Sequence, residues 1–175
     1  AHQHGIGLNV VAATGNEAVL GLADVVDYLV DDPATRVITV FAESVRDTAL
    51  LTHAARRALR VGKPIVLLKV GRSEITVQAA QSHTGSLVGD DSVFDGVCQQ
   101  LGLVRVRSIE ELMFTAALLE KTGVLQGEGV AVLSASGGMG ELAADYADLE
   151  GVDLPRLAAG TLAALSSTLP PMATP

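Results

Sequence analysis

The 175-residue chain has little of what several classes of protein require. Its single cysteine, Cys98, excludes an internal disulfide framework and a cysteine-only metal site, fits a reducing cytoplasmic setting, and is expected to be a buried bystander. Aromatic residues are scarce, with three phenylalanines, two tyrosines and no tryptophan, so the chain lacks a platform for stacking bases. A formal net charge of −8 also leaves no basic footprint for nucleic acid. We therefore expect no nucleic-acid partner.

Long apolar runs are absent too. Although 49% of the residues are hydrophobic, stretches such as Val37–Ala42 and Ile65–Leu68 are far too short to cross a bilayer. The first seven residues hold two histidines and two glycines, and they lack the charged and then apolar pattern of a signal peptide. These histidines have no cysteine or carboxylate close by in the sequence, so no metal site is predicted. The sequence thus predicts no membrane segment, and its apolar residues are expected to lie in buried strands.

Short β-branched segments alternate with helical patterns along the chain. The predicted strands are Leu8–Ala12, Val37–Phe41, Ile65–Leu68, Leu103–Val106 and Val130–Leu133. The predicted helices are Leu20–Val30, Asp47–Val61, Asp91–Leu101 and a helix that runs from Ser108 to about Lys121. Ser108 and Glu111 have the spacing of a capping box at the start of the last helix. This alternation predicts an α/β fold with a parallel sheet and right-handed crossovers.

Both ends of the chain have the pattern of an interrupted unit. Ala1–His4, followed by glycine, is typical of the last turn of a helix, and no closing helix is expected after Leu169–Pro175. Glycines at residues 123–127 mark a candidate boundary. We therefore expect most of one α/β domain in residues 1–123 and the start of a second in residues 128–175, with the architecture incomplete at both ends.

The candidate catalytic residue is His83, which lies among small hydroxyl and glycine residues rather than on an apolar helix face. A predicted strand ends shortly before it, so this loop is expected at the carboxyl edge of the parallel sheet, where open α/β folds bind ligands. Backbone N–H groups of Thr84, Gly85 and Ser86 could hold an anion there. A neutral imidazole accepts a phosphoryl group, and Glu43 emerges at the same edge as its natural partner. The alternative is a structural histidine in a polar loop.

A second candidate anion site is the glycine-rich turn around Ser136, Gly137 and Gly138, which follows a predicted strand and precedes a helical segment. Glycine permits close approach of the backbone, and a helix N-terminus presents free N–H donors to phosphate. The turn lacks the Lys-Ser/Thr of a Walker loop, so a tight turn without a ligand fits the pattern equally well. A third turn, Thr14–Glu17, offers Asn16 as a helix N-cap and nothing more.

Two basic residues flank the histidine loop in the sequence. Lys69 is expected to be an ordinary surface charge. Arg72 fits such a surface charge and a group that steers phosphate or CoA equally well.

Taken together, these segments resemble the ADP-forming (NDP-forming) acyl-CoA synthetases, which are relatives of succinyl-CoA synthetase. The resemblance covers nearly the whole chain and rests on Gly5–Gly7, Thr14–Glu17, Asp31–Val37, Glu43–Asp47, Gly62–Ser73 and Ser82–Leu87. It implies a three-layer parallel sheet of the flavodoxin-like or Rossmann-like type for residues 1–123. Gly129–Asp145 is similar to the opening of the family's second ligase domain.

The most specific motif of this resemblance is Ser82-His83-Thr84-Gly85, which in the family carries the histidine that is phosphorylated during turnover. The resemblance therefore implies that His83 carries the phosphoryl group and that Ser82, Thr84 and Gly85 bind the phosphate. Glu43 matches the family's glutamate that supports the phosphohistidine.

Such enzymes convert an acyl-CoA and phosphate into an acyl phosphate, move the phosphoryl group to the histidine, and pass it to ADP with magnesium on an ATP-grasp domain. The reverse direction makes acyl-CoA from a carboxylic acid, CoA and ATP. The resemblance thus implies CoA, ATP or ADP and Mg²⁺ as cofactors, and a small carboxylic acid or its acyl-CoA as substrate. The N-terminal CoA-binding domain, the first strand of the ligase domain and the ATP-grasp domain have no counterpart in the sequence. We therefore expect a ligase fragment that is inactive alone and whose partners lie in the same chain, in another subunit or in a homo-oligomer.

Two other functions remain open. Similar domains are fused to protein acetyltransferases, where they act as ligand-sensing regulatory modules, although a sensor need not keep both His83 and Glu43. A free-standing flavodoxin-like binding module is disfavoured because few aromatic residues could flank a flavin. If parts of the protein are missing, exposed hydrophobic patches are expected where those parts normally pack.

Overall fold

The computed structural model describes residues 6–71, 91–125, 127 and 129–170. The chain divides into two compact units, Ala1–Leu125 and Gln126–Pro175. No helix within these described ranges is long and apolar enough to span a membrane.

The first unit is built on a parallel sheet. Its described strands are β1 (Ile38–Ala42), β2 (Ile65–Lys69) and β3 (Val104–Val106), in the spatial order β1-β2-β3. Ile38 lies opposite Ile65, and Val66 lies opposite Val104. The predicted α/β class with a parallel sheet is confirmed. Four described helices accompany the strands: α1 (Leu22–Asp31), α2 (Thr48–Arg60), α3 (Asp91–Leu101) and α4 (Ile109–Thr122).

The two helices after β1 and β3 begin at side-chain caps. At α2 the Asp47 carboxylate accepts a hydrogen bond from the N–H of Leu50 (2.8 Å). At α4 the Ser108 hydroxyl accepts one from the N–H of Glu111 (3.0 Å), as the predicted capping box requires. The return bond is displaced by one residue, because the Glu111 carboxylate accepts from the N–H of Arg107 (2.7 Å) and not from that of Ser108.

Helices cover β2 on both faces. Ile65 and Leu67 pack in the larger hydrophobic cluster with buried residues of α1, α2 and α3, including Cys98. Val66 and Leu68 pack on the other face in a smaller cluster against α4. All five residues of β2 are buried, so the sheet forms the middle of the three layers expected for this fold.

Strand β1 is covered on one face. Ile38, Val40 and Ala42 are buried in the larger cluster, whereas Thr39 and Phe41 are exposed, with 55% of Phe41 accessible. One edge of β1 pairs with β2. The other edge borders a cavity of about 490 Å³ that separates it from the segment Ile6–Val10.

The predicted strand Leu8–Ala12 is wrong, because these residues form no regular secondary structure. Leu8 is 65% and Val11 80% exposed. Asn9 anchors the segment by donating from its side-chain amide to the side chains of Asp32 (2.6 Å) and Thr35 (3.0 Å). β-branched residues favour a strand only where a neighbouring strand accepts their backbone hydrogen bonds and a face is packed, and neither condition is met here. The helical turn predicted at Ala1–His4 lies outside the described residues.

The second unit contains two described helices, α5 (Gly137–Leu149) and α6 (Ala159–Thr168). The predicted strand Val130–Leu133 is wrong, since one backbone bridge, between Gly129 and Asp153, takes its place and Leu133 is 95% exposed. α6 has no counterpart among the predicted elements. Within the described part of this unit, only Ala147 is buried, so little packing supports the chain there.

Candidate functional site

A cleft of about 670 Å³ opens at the carboxyl end of β1. Two segments line it, the turn Thr14–Glu17 and the stretch from Phe41 to Arg46 that leaves β1; Leu22 of α1 adds to its wall. We call it the carboxyl-edge cleft. Parallel sheets bind ligands at this edge, where strand ends expose backbone donors and loops bring polar side chains together.

Glu43 directly follows β1 and lines this cleft, at the edge of the sheet where the sequence places it. Its side chain is exposed, and no described residue donates a hydrogen bond to its carboxylate. A carboxylate that is not engaged by its own loop is available to a group that arrives from elsewhere in the chain.

The other predicted catalytic residue, His83, lies outside the described residues, as do Ser82, Thr84, Gly85 and Arg72. Their proximity to Glu43 therefore stays a prediction. The described residues show where the chain leaves β2 on its way to His83. The N–H of Val70, just after β2, donates to the carbonyl of Ala42, the residue before Glu43 (3.0 Å). The chain thus leaves β2 beside Glu43 before it enters residues 72–90.

Glu17 is the residue of this cleft that the sequence interpretation missed. Its carboxylate accepts hydrogen bonds from the N–H of Leu22 (3.1 Å) and the hydroxyl of Thr14 (3.3 Å), and it lies 4.0 Å from the Arg46 guanidinium. Its side chain is only 14% exposed. The signal in the sequence is an acidic residue a few positions before a helix, where it can satisfy free backbone N–H groups.

Asn16, expected to cap the helix that follows its turn, does not do so. The N-cap of α1 is Gly21, whose N–H donates to Asp24 (2.8 Å), and Glu17 bonds to the first helical N–H. The longer chain between the turn and the helix, from Ala18 to Gly21, moves Asn16 out of reach of the helix end.

Lys69, expected on the surface, is 6% exposed at the end of β2. Its ammonium group lies 5.6 Å from the centre of the Phe94 ring, and the guanidinium of Arg105 lies 5.1 Å from the same ring. Arg105 also binds Asp91 (2.5 Å) and Asp95 of α3. Burial opposes the charge of Arg105, but the hydrogen bonds to these two carboxylates outweigh it and raise the pKa of the guanidinium. Lys69 is buried because helices cover both faces of the strand that carries it and the Phe94 ring lies against its side chain.

Cys98 is buried in the main cluster, as predicted. Desolvation by this burial raises the pKa of its thiol, so the thiol stays protonated at neutral pH. A neutral, inaccessible thiol is a poor nucleophile, which excludes Cys98 as a group that attacks substrate.

The glycine-rich turn of the second unit has part of the predicted arrangement. Ser136 is the N-cap of α5 and Gly137 begins the helix, but no strand precedes the turn. Ser136, Gly137 and Gly138 are all exposed, and a Cβ added at either glycine would meet no atom within 4 Å. Phosphate binding by these residues remains a prediction.

Comparison with known proteins supplies an independent result. The model of the succinyl-CoA ligase like flavodoxin domain matches residues 1–119. The alpha subunit of an ADP-forming acetate–CoA ligase from Pyrococcus furiosus is 38% identical over 149 residues, which are 85% of this chain and 32% of that protein. A trans-feruloyl-CoA synthase from an unknown prokaryotic organism is 37% identical over 97% of this chain and 24% of its own length.

A solved structure agrees with the sequence relatives. The dinucleotide forming acetyl-coenzyme A synthetase 1 of Ca. Korarchaeum cryptofilum, in complex with phosphate and ADP, superposes with a TM-score of 0.82 at 29% identity. It covers 93% of this chain and 35% of its own. The predicted flavodoxin-like α/β fold is thereby confirmed, and this chain spans about a quarter to a third of the length of the proteins it resembles.

Proposed function

Because the chain belongs to the succinyl-CoA ligase like flavodoxin domain family, we propose that it is the ligase portion of an ADP-forming acyl-CoA synthetase. In this role it takes part in interconverting acyl-CoA, ADP and phosphate with a carboxylic acid, CoA and ATP. The names of its relatives support this function, since they are CoA ligases that differ in their acids: acetate, ferulate and 4-hydroxybutyrate.

One structural observation carries the proposal. Glu43 stands exposed in the carboxyl-edge cleft, and the backbone bond from Val70 to Ala42 brings the chain toward residue 83 past the same point. A carboxylate placed there suits a histidine in the next loop, because it can accept a hydrogen bond from one ring nitrogen and leave the other free to react.

We assign the phosphoryl transfer to His83. Its free ring nitrogen attacks the phosphorus of the acyl phosphate, a nitrogen–phosphorus bond forms, and the bond from phosphorus to the acyl oxygen breaks. The carboxylate leaves with that electron pair. Glu43 holds the second ring nitrogen and stabilises the positive charge that the imidazole gains. Ser82, Thr84 and Gly85 bind the phosphate through hydroxyl and backbone N–H groups.

CoA, the nucleotide and Mg²⁺ are assigned to no described residue of this chain. We propose that a CoA-binding domain and an ATP-grasp domain outside these residues hold them, in the same polypeptide or in a second subunit. The share of each relative that the chain spans supports this, and so does the fact that one relative is named as an alpha subunit.

The test uses the full-length parent protein. Labelled acyl phosphate or ATP should leave an acid-labile, base-stable label on the protein, and His83→Ala should abolish both label and turnover. His53→Ala is the matched control, because His53 is an exposed residue of α2. A His83→Ala protein that keeps the label and full ligase activity contradicts the proposal. Acyl-CoA binding without label or turnover in the wild type favours a ligand-sensing module instead.

We also propose how the sheet of this domain is completed. A further parallel strand pairs with the open edge of β1 and is followed by a helix, and both are contributed by residues that precede Ile6. The cavity of about 490 Å³ lies between β1 and the segment Ile6–Val10, as a missing neighbour strand would leave it. An unpaired edge leaves half of a strand's backbone N–H and C=O groups without partners.

The handedness of the strand-to-strand crossovers also supports a further strand in this cavity. α1, α2 and α3 lie on one face of the sheet as the chain advances from the Ile6–Val10 side toward β3. A crossover from a strand in the cavity back to Ile6–Val10 runs away from β3. Because crossovers are right-handed, the helix of this connection must lie on the opposite face of the sheet. That is the face on which Thr39 and Phe41 are exposed.

We likewise propose residues 128–175 as the start of a second domain of this type.

Amide hydrogen exchange tests whether a further strand pairs with β1. In the 175-residue chain the edge amides of β1 should exchange about 100-fold faster than those of β2. In the full-length parent they should be protected as strongly as β2. If the edge amides of β1 exchange equally fast in both proteins, no further strand pairs with β1. This result would contradict the proposal whatever the outcome for His83.

A further inference from the structure

Glu17 has an unusual backbone for its residue type. Its φ of +52° is the only positive value at a non-glycine residue within the described ranges. This left-handed region is unfavourable for a side chain of this kind and persists only where the surroundings hold it in place. Glu17 closes the turn that lines the carboxyl-edge cleft, with its N–H donating to the carbonyl of Thr14 (3.1 Å).

The carboxylate of Glu17 explains what holds this conformation. One oxygen accepts from the first N–H of α1, at Leu22, and from the Thr14 hydroxyl. The other faces the guanidinium of Arg46 at 4.0 Å. One carboxylate thus joins α1, the turn and the loop that leaves β1.

That loop is short and carries Glu43. Two residues separate Glu43 from Arg46, and Asp47 immediately after it caps α2. Arg46 is 56% exposed and Glu17 14% exposed, so the carboxylate is the fixed member of the pair and Arg46 the one that it orients. Anchoring Arg46 limits the positions that Glu43 can take in the cleft.

We propose that Glu17 is a positioning residue of the reaction site, which sets the place of the Glu43–Arg46 loop through its ion pair with Arg46. The proposal rests on the function proposed above, in which Glu43 orients His83. It assigns to Glu17 no contact with substrate.

Glu17→Gln separates the two roles of the carboxylate. The amide oxygen of glutamine can still accept from Leu22 and Thr14, so the cap on α1 is kept. The charge that attracts Arg46 is lost. Arg46→Gln removes the same ion pair from an exposed residue, where folding is not at risk.

The experiment measures steady-state turnover and the rate of His83 phosphorylation in the full-length parent. Glu17→Gln and Arg46→Gln should each lower kcat and the phosphorylation rate about three- to fivefold, with KM changed less than about twofold. The double variant should be no slower than either single one, because both remove one interaction.

Asp24→Asn is the matched control, since Asp24 also binds a backbone N–H at the start of α1, that of Gly21, and has no ion pair with Arg46 within the described residues. It should change turnover less than about twofold while matching Glu17→Gln in melting temperature. Rates within twofold of wild type for Arg46→Gln, or effects of the two single variants that multiply in the double, overturn the proposal. If His83→Ala is inactive and Arg46→Gln is normal, only this inference fails; if His83→Ala keeps full activity, the proposed function fails.

Discussion

Strands β1 and β2 are neighbours of equal length, paired in register from Ile38 and Ile65 onward, yet they are built for different tasks. β2 is paired on both edges and buried on both faces. Among the described residues β1 is paired on one edge and buried on one face, and its end opens into the carboxyl-edge cleft. The fully enclosed strand supplies rigidity, and the half-enclosed strand presents Glu43 to the cleft.

The largest expected effect is the loss of stability when a buried side chain of β2 is shortened. Leu67→Ala in β2 removes a side chain with no exposed surface and should lower the free energy of unfolding by about 2–5 kcal/mol. Phe41→Ala in β1 removes a 55% exposed ring and should cost less than about 1 kcal/mol in the 175-residue chain. Urea unfolding of the two variants measures both values.

Phe41→Ala also sharpens the comparison between the isolated chain and its parent. If a helix covers the open face of β1 in the full-length protein, the same substitution should cost about 2 kcal/mol or more there. Equal small losses in both proteins would mean that Phe41 stays exposed and that no helix covers this face.

An intermediate effect is expected at the anchor between β3 and α3. Arg105→Ala should lower the free energy of unfolding by about 1–3 kcal/mol, because Asp91 and Asp95 lose their partner and the Phe94 ring loses a stacked neighbour. Its control beside β1 is Arg36→Ala. The Arg36–Glu120 pair is 71% and 46% exposed, and its loss should stay within about 0.5 kcal/mol. Equal losses at the two sites would remove the distinction between the enclosed and open parts of the sheet.

The smallest expected effect is a pH dependence at Asp32, the residue that holds the Ile6–Val10 segment through Asn9. Hydrogen bonds from the Thr35 hydroxyl (2.5 Å) and from the N–H of Ala34 (3.2 Å) lower the pKa of Asp32 below its usual 3.8. The unfolded chain therefore takes up this proton first as the pH falls. The stabilisation is complete above about 3.8 and disappears as the pH drops through the lower folded value.

Thr35→Val removes the strongest of these bonds. Acid unfolding should show that the variant and the wild type differ most at neutral pH and converge in strong acid. Parallel curves across the whole range would exclude Asp32 as the titrating group.

The same contrast between strands explains what could be predicted from the sequence. β2 is a continuous apolar run between helical segments, so local pattern and tertiary environment agree. Leu8–Ala12 and Val130–Leu133 have the same composition, but their strand character depends on neighbours that the described residues do not provide. Glu43 was found because the end of a strand fixes its location. Glu17 was missed because only its bond to Leu22 has a local signal, whereas its contact with Arg46 joins segments that lie far apart in the sequence.

We propose that Glu43 at the end of β1 supports phosphoryl transfer at His83, and the phosphoenzyme itself tests this proposal most directly. In the full-length parent, Glu43→Gln should reduce the acid-labile label at least about tenfold, while Glu110→Gln, an exposed carboxylate of α4, should leave it unchanged. Label that forms at the wild-type rate and level in Glu43→Gln would contradict the account.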